Sequence, residues 1–245
     1  GGLSEAERAP ATARLDAKQE TFQAKLDAYA GVKESMTGFK NLLAEIDDLK
    51  KLQGRTISSS DESVFTATAD ESAAAGSYSV EVTNLAQSNS LYSASYTNLT
   101  DTIGTGNLNF SFGTVTVDGS GDPTAFTQNG DKASATVTVT DGSLEGIRDA
   151  VNDADFGVLA SIVNDGSGYR ITFTSTETGA ASGIQITADA ALSALSFNTT
   201  ESDLTQSRAG QNAAIKVNGL DISSASNTVT DVISGVTLNL SKSDS

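Results

Sequence analysis

The sequence predicts a mainly β protein of the α+β class. A long N-terminal helical, coiled-coil-like stem is followed by two antiparallel β-rich head domains, the distal one holding a small β-α-β-β module. Three observations predict this. Large apolar residues recur every seven positions from Leu15 to Leu43. After Arg55 the texture changes to Ser, Thr, Ala, Gly, Asn and Asp, with Val and Ile alternating between them. Within that second stretch, a short segment from Ser143 to Asp155 carries helical rather than strand spacing.

The stem reads as helix from about Ala11 to Leu52. Leu15, Phe22, Tyr29, Met36 and Leu43 keep the seven-residue spacing, and Leu26, Val32, Phe39, Ile46 and Leu49 complete three-four steps beside them. The stripe is narrow, like a seam, and charges of both signs occupy the other faces. Its phase slips at Gly31, because Tyr29 to Val32 is a step of three where four is due, and a local over-winding or break is expected there. Pro10 suits a first helical position and Gly54 a stop. A helix of about 40 residues spans roughly 60 Å and cannot bury such a seam against itself. Its partner is another segment of the protein, another copy or another protein. The alternative is an ordinary helix packed on the β region.

The β region is read from alternation. "SVFTATA" (Ser63 to Ala69) and "GSYSVEVTNLAQ" (Gly76 to Gln87) are strands, with Tyr78, Val80 and Val82 on one face and Ser79 and Glu81 on the other. "NLNFSFGTVTVDG", "ASATVTVTDG", "GIQITA", "AAIKVNGLDI" and "GVTLNLSK" follow, most of them bounded by glycine or Asx turns, which indicates antiparallel sheets. Asp118 to Asp131, "DGSGDPTAFTQNGD", reads as a loop or a weakly ordered tip.

The module spans residues 135–187. Val137 and Val139 alternate with threonines in a first strand. Ser143 caps a helix whose apolar positions Leu144, Ile147 and Val151 follow three-four spacing, Glu145 suits the helix dipole, and Gly157 ends the segment. A strand from Gly157 to Asn164, with Ile162 in it, turns at "DGSG" into a mate in which Tyr169, Ile171 and Phe173 alternate with polar residues. A helix of about 11 residues is marginal alone, so its apolar face must cover one side of that hairpin.

Composition removes whole classes of function. The 245 residues contain no Cys and no His, which excludes disulfides, thiolate nucleophiles, zinc and iron-sulfur sites and every histidine-dependent acid/base mechanism. No run of eighteen apolar residues exists, so no membrane insertion is expected. The start "GGLSEAERAP" has neither a basic n-region nor an apolar h-region, so no secretory signal is legible. The net charge of −16 is divided unevenly: residues 1–53 carry nine acids and eight bases, the remainder 22 and seven. Such an acidic remainder repels nucleic acid and reads as a solvated surface.

No catalytic constellation is visible, and the chain is not expected to be an enzyme. Asp61 with Glu62, Asp70 with Glu71, and Asp149, Asp153 and Asp155 are paired carboxylates, but nothing selects a pair and no tryptophan platform exists for sugar binding. "NDADFG" (Asn152 to Gly157) lacks the alternating ligands of a calcium loop and reads as a helix end. "NDGSG" has no following lysine and is a hairpin turn, not a phosphate loop. No cofactor or metal is implied.

"SLEGIRDAVNDADFGVLASIVNDGSGYRITFTSTETG", Ser143 to Gly179, resembles a repeat inserted in flagellins and their relatives. The stem running into "SSSDESVFTATADESAAAGSYSVEVTNLAQSNSLYSAS" resembles the N-terminal region of the flagellar filament-capping family, hook-associated protein 2. "SRAGQNAAIKVNGLDISSASNTVTDVISGVTLNLSKSDS", Ser207 to Ser245, resembles the opening of that family's C-terminal region. The three stretches stand in family order and cover nearly the whole chain.

The resemblance implies a structural cap at the distal end of the bacterial filament, outside the cell, exported by the flagellar type III system without a cleaved signal. Its implied partners are its own copies in a ring, flagellin subunits that fold and insert beneath it, and an export chaperone engaging a C-terminal part beyond this chain; host mucin or cell surface is a further implied partner. The implied domains are a helical stem at 1–54 whose partner helices come from that C-terminal part, a middle head domain from 55–103 plus 204–245, and an inserted distal head domain at 104–203. The insertion is expected because "GSYSVEVTNLA" and "GVTLNL" look like strands of one sheet. An extracellular adhesin or surface-layer-like binding module is the alternative. It explains the acidic β-rich head equally well and the heptad stem less well.

Overall fold

The structure, a computed structural model, describes residues 2–46 and 55–243. It divides into a helical unit, residues 1–55, and a β unit, residues 56–245.

Helix α1 runs from Gly2 to Ile46 without interruption. Two expectations are corrected by this continuity. Pro10 lies inside the helix, not at its first position; the ring removes one backbone hydrogen bond, a cost of about 3 kcal/mol, and the Ala-, Glu- and Arg-rich sequence on either side favours helix strongly enough to continue through it. The helix also passes Gly31 unbroken. A helical glycine costs only about 1 kcal/mol relative to alanine, and the Gly31 carbonyl accepts a further bond from the Ser35 hydroxyl at 2.9 Å. The expected stop at Gly54 and the seam residue Leu49 lie outside the described residues.

The β unit is mainly antiparallel sheet. In chain order its strands are β1 Phe65–Ala69, β2 Val80–Asn84, β3 Ser88–Tyr92, β4 Gly106–Val117, β5 Pro123–Gln128 and β6 Ala135–Val139; helix α2 Leu144–Asp153 follows; then come β7 Val158–Asn164, β8 Tyr169–Thr178, β9 Gly183–Ala188, β10 Thr205–Arg208, β11 Ala213–Val217, β12 Leu220–Ser224, β13 Thr228–Ile233 and β14 Val236–Leu240. Two buried cores organise them. The first is built from β1, β2 and β11 to β14, with Val82, Ile215 and Leu238 at its centre. The second gathers apolar side chains between Leu91 and Leu204.

In the first core, β14 lies between β1 and β13, while β11 lies between β12 and β2. The expectation that the strands of "GSYSVEVTNLA" and "GVTLNL" share one sheet is thus corrected: β2 pairs with β11, and β14 pairs with β1 and β13. Alternation shows that a strand has one buried face but does not name its neighbour. The strand itself is also shorter than expected, since Tyr78 precedes β2 and is exposed. Asn218 (φ 52°) and Gly219 (φ 84°) supply the two left-handed residues that a two-residue hairpin between β11 and β12 requires.

In the second core, one sheet has the order β10-β3-β8-β7, and in the other the long β4 pairs with β5, β6 and β9. The segment Asp118 to Asp131, expected to be irregular, contains β5, paired with the end of β4 from Gly113 to Val117. Pro123 stands at the first position of that strand, where its missing N–H breaks no ladder. Besides β5, three strands were not anticipated: β3, β10 and β13. β3 and β10 are short and polar, and pairing rather than propensity makes them strands.

The elements of the expected module occur in the order β6, α2, β7, β8, but they do not form one sheet. β6 pairs with β4, while β7 and β8 pair with each other in the opposite sheet. Helix α2 bridges them. Its buried side chains Leu144, Ile147 and Val151 enter the core that both sheets share. The Ser143 hydroxyl caps its start by accepting the Gly146 N–H at 3.0 Å. At its other end the chain leaves through Asp155 (φ 42°) and Gly157 (φ 100°), so "NDADFG" is a helix end and turn.

Candidate assembly surfaces

On α1 the seam is an open surface. Leu15, Phe22, Leu26, Tyr29, Val32, Met36, Phe39 and Leu43 are all exposed, Tyr29 by 74% and Met36 by 69%. Ile46 is the last residue of the described helix. Leu42, which the heptad reading omits, is 60% exposed and lies about 60° around the axis from Phe39 at 100° per residue, so it widens the second half of the stripe. The sequence signal was present: an apolar residue adjacent to a seam position. Burying such a side chain contributes about 1.5–3 kcal/mol each, which gives this face a strong drive to find a partner. Around it, Gln23 bonds to Asp27 at 2.9 Å and Lys25 lies over the Phe22 ring.

In the β unit, the structure brings the expected module residues into one core. Val137, Val139, Leu144, Ile147, Val151, Ile171 and Phe173 are buried, and Ile162 and Tyr169 are half-buried against them. The sequence reading missed the other half of this core. Phe110 packs edge-on against Phe173 at 5.8 Å and tilted against Phe156 at 4.9 Å; Ile184, Ile186, Leu192 and Phe197 complete it. Phe110 and Phe112 are legible in "NLNFSFG", but only the topology places them in this core.

Three of the candidate carboxylates are used by the fold. Asp61 and Asp70 each accept the amide and hydroxyl of the residue two positions on, Ser63 and Ser72. These bonds hold both carboxyls below their ordinary value. Asp149 bonds Arg148, which lowers it likewise. The Ser167 hydroxyl, then Arg170 and the Ser167 amide, hold Asp165 far below the usual carboxylate range. Arg170 also donates to the Ser93 carbonyl and lies over the Tyr92 ring, so its charge is fully engaged beside the open depression that Tyr92, Val163 and Ser207 line. Burial, with Asp203 nearby, pushes the Tyr96 phenol up. Among the described residues no group of three or more Asp, Glu, Cys or His is placed to hold a metal ion, and no helix is long and apolar enough to cross a membrane.

A polar joint that sequence reasoning did not find lies where the chain passes between the two cores. The Asn227 side chain accepts the Ala86 N–H at 2.7 Å and donates to the Ala86 carbonyl at 3.0 Å. Gln87 and Gln211 exchange backbone bonds, and Asn89, wholly buried, accepts from Ile184 N–H and donates to the Arg208 carbonyl. The only sequence signal was an excess of asparagine in a region whose strands alternate cleanly.

Comparison with known proteins accounts for this arrangement. Residues 2–89 match the family described as flagellar hook-associated protein 2 N-terminus, and residues 210–245 match its C-terminus, together about half of the chain. The chain is 33% identical to flagellar hook-associated protein 2 of Escherichia coli K12 over 94% of its own length and 47% of that relative. It is 31% identical to the B-type flagellar hook-associated protein 2 of Pseudomonas aeruginosa over 96% of its length and 50% of that relative. It therefore spans about half the length of these relatives. The crystal structure of the flagellar cap protein FliD D1-D2-D3 domains from Escherichia coli superimposes with a TM-score of 0.76 at 31% identity, covering 90% of this chain and 60% of that one. The D2-D3 domains from the same organism match with a TM-score of 0.63 at 32% identity, covering 74% of this chain and 90% of that one. The adhesin alternative finds no counterpart among these relatives. With its two ends matching the two family regions in order and its fold matching the cap domains between them, the chain belongs to the flagellar hook-associated protein 2 (FliD) family.

Proposed function

We propose that this chain forms the stem and head of a filament cap at the distal, extracellular end of the bacterial flagellum, where copies assemble in a ring and promote folding and insertion of exported flagellin. The observation that carries the reading is the combination of an uncovered apolar stripe on α1 with a β unit whose fold follows the Escherichia coli cap domains. The role asked of the chain is mechanical. It needs surfaces that pair and a head that keeps its shape, and the carboxylates are spent on turns rather than gathered at a cleft.

In this reading the stripe from Leu15 to Ile46 is the seam of a coiled-coil-like stem, closed by helices from the part of the relatives that lies beyond this chain. The β unit divides into a middle and a distal head domain, with the division at the polar joint, near 87 and 209–212, because Ala86 and Ala213 belong to the first core while β3 and β10 belong to a sheet of the second. The segment from β6 to β8 is the flagellin-like module, built across both sheets of the distal domain. Export by the flagellar type III apparatus suits a chain without cysteine, which crosses unfolded with no disulfide to break.

Deleting the gene from its source cells tests the function. Short or absent filaments, with unpolymerised flagellin accumulating in the medium and restored filament growth on complementation, are expected. Filaments of normal length in the deletion strain overturn the reading.

A further inference from the structure

We infer that the two β cores of the head move as one rigid body, locked by a three-point clasp in which the segment Thr178 to Ala180 docks on both chain crossings and on Ala225. The chain passes between the cores twice, at residue 87 and at residues 209–212, and two covalent crossings alone leave a hinge free to bend about the line joining them. Relative motion is the ordinary expectation for two cores joined by a small polar interface.

A third attachment, off that line, removes the hinge. The end of β8 supplies it from the second core. The Gly179 N–H donates to the Gln87 carbonyl on the first crossing at 3.1 Å. The Ala180 N–H donates to the Asn212 side-chain oxygen on the second crossing at 2.8 Å. The Thr178 hydroxyl donates to the Ala225 carbonyl, between β12 and β13 of the first core, at 2.6 Å.

Each point is itself anchored. Gln87 and Gln211 exchange backbone hydrogen bonds at 2.8 and 3.0 Å, tying one crossing to the other. The Asn212 carbonyl accepts from the Asn84 side chain, and its own amide donates to Ser223, so it cannot swing away from Ala180 without breaking bonds in the first core. The approach is also steric. A Cβ on Gly210 would meet the Gly179 carbonyl oxygen at 2.6 Å, and one on Gly179 (φ +106°) would meet Ala225 Cβ at 2.9 Å. Backbone lies against backbone with no flexible side chain between, and close-packed contacts of this kind do not deform continuously. The inference concerns the mechanics of the head and stands whether or not the chain caps a filament.

Because the chain has no cysteine, a pair of spin labels can be placed cleanly. Leu159→Cys on β7 and Leu220→Cys on β12 are exposed positions, one on each core. Pulsed dipolar spectroscopy on the full chain is expected to give a single narrow distance distribution. Adding Gly210→Ala or Asn212→Ala should broaden or split it, while far-UV circular dichroism shows both cores still folded. If Gly210→Ala does not fold, Asn212→Ala is read alone. A broad or multiple distribution in the unaltered joint overturns the inference, and so does a distribution that stays narrow when the clasp is removed.

Discussion

The Asn227 side chain closes both of its amide hydrogen bonds on the backbone of Ala86, 141 residues away in sequence. It stands where a neighbouring strand would, giving Ala86 the donor and the acceptor that a ladder supplies elsewhere. Ala86 is buried, so Asn227→Ala leaves its N–H and C=O without partners. The expected loss is about 1–3 kcal/mol in urea unfolding monitored on the β unit, and a loss below the error of the extrapolation contradicts the assignment.

Asn152 plays the same part at a sheet edge. Its side chain accepts the Ala160 N–H at 2.8 Å and donates to the Ala160 carbonyl at 2.9 Å, on β7, which ends its sheet. Unpaired edges invite pairing with other chains. Asn152→Ala is expected to lower stability by about 1–3 kcal/mol and to increase concentration-dependent association, read by light scattering. An equally stable, equally monodisperse variant would show that the edge needs no cover.

Ile147 is wholly buried between the two sheets of the second core. Ile147→Ala should cost about 2–5 kcal/mol, whereas Leu159→Ala, on the exposed face of β7, should stay within about 0.5 kcal/mol. Chemical denaturation of the two variants checks this. Similar losses in both would mean that α2 does not carry the core.

Asp61, Asp70, Asp101, Asp141, Asp149 and Asp165 all have carboxyls held below their ordinary value, chiefly by hydrogen bonds from neighbouring amides, hydroxyls or arginine. A depressed folded-state pKa stabilises fully above the ordinary carboxylate value, and that stabilisation is lost as pH falls through the folded values. The melting temperature of the β unit should therefore be nearly flat from about pH 7 to 5 and fall below about pH 4. The fall should be shallower in Asp165→Asn. A melting temperature already dropping between those two higher values, or an unchanged acid slope in the variant, contradicts this.

How much of this was legible in the sequence depends on whether the signal was periodic. The α1 stripe, the Ser143 cap and the alternation in β8 and β14 are local patterns, and each is present in the structure, whereas "AAIKVNGLDI", read as one strand, is a hairpin turning at Asn218-Gly219. Pairing is not local. β3 and β10 carry too few apolar residues to announce themselves, and β2 and β14 look alike in sequence yet sit in different sheets. The joint was invisible for a related reason. Asn89, Asn212 and Asn227 resemble turn residues until the fold brings backbone groups from distant segments against them. The stem's continuity through Pro10 and Gly31 shows the reverse case, where strong local breakers are overridden by good helix formers on both sides.

The exposed seam makes a paired prediction. In this chain, Phe39→Asp with Leu43→Asp should leave the melting of the β unit unchanged. In a protein of the relatives' full length, the same pair should lower the stability of the stem and impair assembly, read by melting and by sedimentation. Unchanged stem stability and unchanged assembly there would remove the seam from the account.

The most direct test of the central claim is immunogold electron microscopy of the source cells with antibodies raised against the β unit. Label confined to the free ends of the filaments is predicted. Label along the filament shafts or spread over the cell surface would contradict a cap and point to a different role for the same fold.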